Sequence, residues 1–348
     1  MELIIVSTVK VGVIIVAYNY NVTNLIKSIN AQKSNEDQII IVANGPNQTN
    51  SKNLSIDGVE IIKTENRGFA NGCNIAAKKL INKVDVLFLV NPDALLADGS
   101  LKALKKGALT DYSAWMGLLV LPNGRVNSAA NKVHLSGLSW CDGYNQPSKR
   151  YKDPQDVSII SGACMMIRSD AWEKLDGLAE GYFLYYEDVD ISTRMILRGM
   201  KMGLLPDAKI IHDYSFEKNN TKWFYIERNR LLYIVRTWPW QVIVLSVPFL
   251  AMVECGLWAV SILQGRFLLK IKSTISMLKA LPWAIKTRGE IQKSRAVTIN
   301  KFLDNIDYVI DTPLIKGFSS SRWANKTYKS YFKAIYFIVS MLSTSPSN

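Results

Sequence analysis

The segment Val84–Ala94, VDVLFLVNPDA, decides how this chain is read. Its apolar run, Val84–Val90, reads as a buried strand that stops at Asn91-Pro92-Asp93. Working outward, similar runs occur at Val11–Ala17, Gln38–Ala43 and Val59–Lys63. Between them, Thr23–Gln32 and Gly72–Asn82 have helical spacing, and Asn44–Asp57 is a polar loop. Strands alternating with helices predict βαβ units and an α/β fold, with a mostly parallel, Rossmann-like sheet covered on both faces. Ligands of such sheets bind beyond the carboxyl ends of the strands. Those ends carry Tyr18-Asn19, Asn44 and Asn91-Pro92-Asp93.

The chain has 348 residues, enough for one large domain or a domain with an appendage. With 48% apolar and 20% charged residues, it reads as globular rather than disordered. Cys73, Cys141, Cys164 and Cys255 show no C-x-x-C spacing, so neither a disulfide framework nor a zinc site is expected. Met1–Val6 lacks a basic stretch and a cleavage site, and no signal peptide is expected there.

Past a less regular middle, Trp115–Pro154, further elements are predicted: a strand over Ser158–Arg168, a short helix over Ser169–Leu175 capped by Ser169, and a helix over Tyr186–Met200. Lys201–His212 reads as extended and Asn220–Val235 as a basic, aromatic helix. Trp238–Leu263 is different. Pro248 and Glu254 interrupt an otherwise mostly apolar run near the ~20 residues needed to span a bilayer. It reads either as buried core helices or as a membrane-embedded segment, with Pro248 and Glu254 favouring a broken hairpin in one leaflet. The net charge is +13, and from Gln264 onward 14 Lys/Arg stand against 4 Asp/Glu. Such a tail attracts nucleic acid or anionic headgroups. The apolar block before it, and the lack of a recognition motif, favour a membrane surface and exclude nucleic acid. The expected division is 1–237 for an α/β domain and 238–348 for a helical membrane-associated region.

Four motifs carry chemistry, each beside a plainer alternative. Asp93, at a strand end, can hold a divalent ion against a diphosphate, or Asn-Pro-Asp is simply a turn. In TENRGFANGCN, Thr64–Asn74, small residues let the backbone approach a ligand and the following helix offers free N–H groups to an anion. Arg67 adds charge, or the segment is an ordinary helix start. In YYEDVDISTR, Tyr185–Arg194, Glu187, Asp188 and Asp190 crowd a helix start, where acids complement the macrodipole. Asp190 and Arg194 are spaced to pair at i,i+4. Asp188 has no basic partner at helical spacing, which suits a general base. His212, in IIHDYS, ends a strand as a metal or phosphate ligand or as a structural histidine.

In this order, VIIVAYN, ENRGFANGCN, FLVNPDA, SGACMMIR, FLYYEDVDISTR, IIHDYS and FYIERNRLLYI resemble family 2 glycosyltransferases of the GT-A fold, and the bacterial rhamnosyltransferase-like branch in particular. The resemblance implies a nucleotide pocket lined by Ala17, Tyr18, Asn19 and Asn44, and a donor site shaped by Asn66, Arg67, Gly68, Asn74 and Asn91. It implies Asp93 as ligand to Mg2+ or Mn2+ with His212 nearby, Asp188 as catalytic base with Glu187 beside it, and Arg228 and Arg230 near the acceptor entrance.

The same resemblance implies an inverting transfer of a sugar, rhamnose from dTDP-rhamnose, to a polyprenyl-linked glycan acceptor. The setting would be cell-surface polysaccharide synthesis at the cytoplasmic face of the bacterial inner membrane. The chain departs from the family at Ala43, where relatives carry Asp, so UDP-hexose or UDP-galactofuranose donors stay open, as does a catalytically degenerate scaffold. A nucleotidyltransferase would want a Gly-rich basic loop after the first strand, where Ala17-Tyr18-Asn19 stands instead.

Overall fold

The computed structural model describes residues 9–45, 58–213, 219–314 and 321–344. The expectation for Met1–Val6, and most of the polar loop up to Asp57, fall outside these.

Two compact units divide the chain: 1–131, 141–195 and 200–215 in the first, and 132–140, 196–199 and 216–348 in the second. In the first unit, β1 (Val11–Ala17) is buried at every position, and β4 (Val86–Val90) is too. With β2 (Gln38–Ala43) and β3 (Val59–Lys63) they form a parallel half-sheet in the order β3-β2-β1-β4. Parallel strands covered on both faces read as continuous apolar runs, not alternating ones. The helices α1 (Thr23–Asn30) and α2 (Phe69–Leu80) lie along this half, each with one buried stripe: Leu25, Ile26 and Ile29 on the first, Cys73, Ala76, Ala77 and Leu80 on the second.

The other half departs from a parallel arrangement. After the short β5 (Ala94–Leu96) and α3 (Ser100–Lys105) comes β6 (Ala114–Val120), wholly buried though not expected from sequence. Then follow β7 (Val126–Ser128), the hairpin of β8 (Asn131–Val133) and β9 (Ser139–Cys141), and the edge strand β10 (Gln155–Asp156). The chain next enters β11 (Cys164–Arg168), which runs antiparallel between β4 and β6. Its first residue, Cys164, pairs with Val90, the last of β4. The residues just before β11 therefore sit at the carboxyl end of the parallel strands, where a ligand is expected. Only this second half of the predicted Ser158–Arg168 strand is strand. Ser169 begins α4 (Ser169–Leu175) rather than capping it, and its hydroxyl donates to the Val84 carbonyl.

After α5 (Glu187–Leu197), β12 (Met202–His212) closes the sheet, parallel to β6, with its last residues against β5. A buried ion pair fastens α3 beneath the sheet. Lys105 Nζ meets both oxygens of Asp37 at 2.9 and 2.8 Å, and Asp37 also accepts from the Val11 and Ser34 N–H groups.

The second unit is helical: α6 (Asn220–Thr237), α7 (Trp240–Leu263), α8 (Phe267–Lys293), α9 (Ile299–Leu303) and α10 (Arg322–Thr344). It takes in α6, so the division lies near 215 rather than at 237. The reason is a row of polar ties from α6 to α8: Arg228 Nε to Ser276 Oγ at 3.1 Å, Arg236 Nε to Thr287 Oγ1 at 2.9 Å, and Gln292 Nε2 to the Thr237 carbonyl at 2.8 Å. The expected broken hairpin is also corrected, because α7 runs unbroken through Pro248.

Removing one member of a buried ion pair leaves the other charge unmatched, at about 3–5 kcal/mol. Lys105→Met should lower the unfolding free energy by about that amount, measured by urea denaturation of the purified chain.

Candidate active site

The acidic helix α5 is presented by a loop in uncommon conformations. Phe183, Tyr185 and Tyr186 have φ of +68°, +66° and +76°. Left-handed conformations at such residues cost about 1–3 kcal/mol each and persist only where the surroundings fix them. Two contacts do so. Asp190 Oδ1 accepts from Arg194 Nε at 2.6 Å, its Oδ2 accepts from the Tyr182 hydroxyl at 2.9 Å, and Arg194 donates on to the carbonyls of Leu175 and Gly177. The i,i+4 pairing expected from sequence is thus present and almost fully buried. In addition, the Phe183 carbonyl accepts from the Phe69 N–H at 2.9 Å. Gly68, at φ +97°, lies so close that a Cβ there would come within 2.2 Å of that carbonyl oxygen.

The two carboxylates at the head of α5 differ sharply. Asp188 Oδ2 accepts from the Gly162 N–H at 3.0 Å and from Asn131 Nδ2 at 3.3 Å, and its Oδ1 accepts from the Val189 N–H at 2.8 Å. Burial raises its pKa, and the Gly162 and Val189 N–H groups oppose that shift. Glu187 is buried and its Oε2 has no hydrogen-bond partner. Burial, and then the charge of Asp188, push its pKa up to about 8. Both are thus shifted towards the protonated form, Glu187 with one oxygen unpartnered and Asp188 with both oxygens hydrogen-bonded.

The second acidic position follows β4. His212 Nε2 lies 3.2 Å from Asp93 Oδ1 and 3.5 Å from Asn91 Nδ2, while its Nδ1 lies 3.4 Å from Asn127 Oδ1. The Tyr20 hydroxyl is held above its usual pKa by burial and then by the charges of Asp93 and Asp213. The Asn91 N–H donates to the Ala163 carbonyl at 3.1 Å, and Ala163 adjoins the Gly162 that holds Asp188. One short stretch of main chain thus joins the two carboxylate positions.

On the far side of β1, the Asn44 N–H donates to the Ala17 carbonyl at 2.9 Å. Asn44 Nδ2 donates to Asn66 Oδ1 at 3.1 Å and to the Gly68 carbonyl at 3.2 Å, leaving its buried Oδ1 without a partner. Asn66 Oδ1 also accepts from the Gly68 N–H. Tyr18 is exposed, and Asn19 takes a positive φ of 50° at the turn after β1. Ala17, Asn44, Asn66 and Gly68 therefore form one connected wall.

These pieces match one family across residues 12–176, glycosyl transferase family 2. That match covers a little under half of the chain. Among similar proteins, an N-acetylglucosaminyl-diphospho-decaprenol L-rhamnosyltransferase of Mycobacterium tuberculosis is 29% identical over 152 residues, covering 37% of this chain and 47% of that protein. The rhamnosyltransferase WbbL of Escherichia coli is 24% identical over 251 residues, covering 64% of this chain and 94% of its own length. The chain thus spans about half the mycobacterial relative and nearly all of the enterobacterial one. Among solved structures, GalNAc-T7 crystallised with UDP, GalNAc and Mn2+ superposes with a TM-score of 0.54 at 16% identity, covering 66% of this chain and 48% of that one. That likeness supports the α/β fold.

The site differs in places from what its motifs suggested. Arg67 is exposed and lies 3.7 Å from Glu65. Asn74 acts as a brace: its Nδ2 donates to the Leu178 carbonyl and Glu180, and its Oδ1 accepts from the Leu178 N–H. Arg230, expected at an acceptor entrance, is fully buried in the second unit, donating to the Ser136 carbonyl and paired with Glu254. Arg228 lies beside it in sequence and is tied to Ser276 and Asn229. Asn127, Asn131 and Gly162 were not legible. Each sits in the irregular middle or a turn, and only the sheet topology brings it to Asp188 or His212.

Glu187 allows a pH test with a fixed sign. Its folded pKa lies above its ordinary value of 4.5, so between about 4.5 and 8 the native state keeps a proton that the unfolded chain has released. This contribution to stability is fully present below that window and is lost as pH rises through it. Glu187→Gln should flatten the decline in unfolding free energy between pH 5 and about 8, read from denaturation curves across that range.

Proposed function

We propose that this chain is an inverting glycosyltransferase. It transfers a sugar from a nucleotide-sugar donor, rhamnose from dTDP-rhamnose, to a polyprenyl-linked glycan acceptor. The process served is cell-surface polysaccharide synthesis at the cytoplasmic face of a bacterial inner membrane. The observation that carries the reading is Asp188. It is a buried carboxylate that accepts from the Gly162 and Val189 N–H groups beside Glu187, whose pKa burial pushes up to about 8, one peptide from the residue that bonds Asn91.

In the reaction, Asp188 takes the proton of the acceptor hydroxyl as its oxygen bonds to the anomeric carbon. The bond from that carbon to the diphosphate oxygen breaks, and the nucleoside diphosphate leaves. One displacement inverts the configuration at that carbon. The wall of Ala17, Asn44, Asn66 and Gly68 would hold the donor, with Tyr18 exposed at its edge.

The residues present fit a divalent cation. The Asp93 carboxylate and His212 Nε2 converge, giving one oxygen and one nitrogen donor. Among the described residues no cluster of three or more His, Cys, Asp or Glu could form a closed site. That suits Mg2+ or Mn2+, which bind through few protein groups and complete their shell with phosphate and water. When bound, the ion supplies charge neutralisation for the departing diphosphate. His212 would be oriented by Asn127, which lies at its other ring nitrogen.

The free cysteines support a reducing compartment. The lipid-linked acceptor is supported by the decaprenol-diphosphate relative and by the apolar α7. The departure at Ala43 bears on the nucleotide, so donors are to be compared directly.

General-base assistance is worth ~10²–10⁴ in rate. Asp188→Asn should lower kcat by that range with donor affinity retained, measured by transfer assay and by calorimetric binding of dTDP-rhamnose, UDP-hexoses and UDP-galactofuranose. Near-normal turnover would move the role to another group. EDTA should abolish transfer and Mn2+ or Mg2+ restore it, and Asp93→Ala should raise the cation concentration required.

A further inference from the structure

Long apolar helices in a chain of this kind pose a choice between crossing a membrane and lying on it, and the second unit bears directly on that choice. Among the described residues α7 is the one helix long and apolar enough to cross, yet only 22% of its most apolar window is buried. Its exposed positions from Val244 to Leu263 carry no charge, with Val247, Met252, Ile262 and Leu263 all more than half exposed. At 1.5 Å per residue this face is about 30 Å long.

Glu254 lies just past the middle of α7. It pairs with Arg230 of α6 and, at 3.1 Å, with Lys270 of α8, which also pairs with Glu227 of α6. If α7 crossed a bilayer, this four-charge cluster would lie near the hydrocarbon midplane. It would bring α6 and α8 with it, and both carry many more charges.

The exposed side of α8 adds a second observation. Lys272, Lys279, Lys286 and Lys293 recur every seven residues and all are exposed. Seven residues make nearly two turns, so the lysines form one row with a spacing of about 10 Å. None of them meets a carboxylate within salt-bridge distance among the described residues. On the same side, Leu268, Ile275, Leu278 and Ile285 are exposed by 48–70%. An apolar stripe edged by lysines matches a helix at the headgroup boundary, with side chains reaching up to phosphate.

We propose that α7 and α8 lie in the plane of one leaflet, and that the row Lys272, Lys279, Lys286 and Lys293 binds anionic lipid headgroups. This rests on the reading of the chain as membrane-associated, and it adds orientation and lipid charge. Lipid is favoured over a protein partner because the exposed α7 face carries no charge, while the exposed apolar stripe of α8 is edged by a regular positive row.

The test uses the full purified chain with phosphatidylcholine vesicles and with vesicles that also contain phosphatidylglycerol. A lysine near an anionic surface contributes about 1 kcal/mol, or roughly fivefold in partitioning. Lys279→Gln should lower binding to the anionic vesicles about fivefold and leave binding to neutral vesicles unchanged. Replacing all four by Gln should remove the preference for anionic lipid. For orientation, Gln241→Cys and Gln264→Cys, each in a background with Cys141 and Cys255 replaced by Ser, are exposed to a membrane-impermeant maleimide outside sealed vesicles. Labelling at both helix ends is expected.

Protection of one end means that α7 crosses and overturns the in-plane placement, with membrane association intact. Equal binding to neutral and anionic vesicles overturns the lysine row. No binding to either overturns the membrane reading itself. Because none of these readouts requires turnover, the result is independent of whether the donor and acceptor are correctly named.

Discussion

The buried pair of Asp190 and Arg194 is the constraint on which the site depends. Arg194 reaches from the second turn of α5 to two carbonyls at the end of α4, and Asp190 is held in turn by Tyr182. Buried ion pairs contribute little net stability, because desolvation offsets much of their attraction, but losing one partner is strongly unfavourable. Their effect here is positional. With three backbone or hydroxyl partners fixed, the chain between Leu175 and Tyr186 has one path, including three residues at positive φ. That path delivers Glu187 and Asp188 to the carboxyl edge of the sheet.

Given that placement, environment distinguishes the adjacent carboxyl groups. Main-chain N–H donors surround Asp188, whereas an oxygen of Glu187 is enclosed without a partner. Burial raises the pKa of both, that of Glu187 to about 8, while the N–H donors oppose the rise at Asp188. Two like charges side by side would repel, so a proton on Glu187 makes a charge on Asp188 less costly. Across the same edge, Asp93 faces the imidazole of His212. The two ends of the site are thus unlike in electrostatic character although both are built from aspartate.

Much of this was legible from the chain. Apolar runs ending in polar residues located β1, β2 and β4 and the ligand side of the sheet, because a strand covered on both faces leaves a continuous signature. The i,i+4 spacing of Asp190 and Arg194 predicted their contact, since helical geometry is local. The antiparallel insertion of β11 was not legible, nor were the parts played by Asn127, Asn131 and Gly162. Those depend on which distant strands become neighbours. Asn74 and Arg230, which the resemblance set at the donor site and the acceptor entrance, have their amide and guanidinium bound within the fold, and those partners lie too far along the chain to be read from a motif. The continuity of α7 across Pro248 was likewise not legible from local propensity, which disfavours proline inside a helix.

The joint between Gly68 and Phe183 is made of main chain on both sides: an N–H, a carbonyl and the empty volume where a methyl group would stand. Its consequence is evolutionary. Drift at residue 183 can change the ring without touching the joint, whereas any side chain at 68 would force residues 183–186 onto a new route. The ENRGFANG segment and the YYED segment therefore constrain one another, although more than 100 residues of chain separate them.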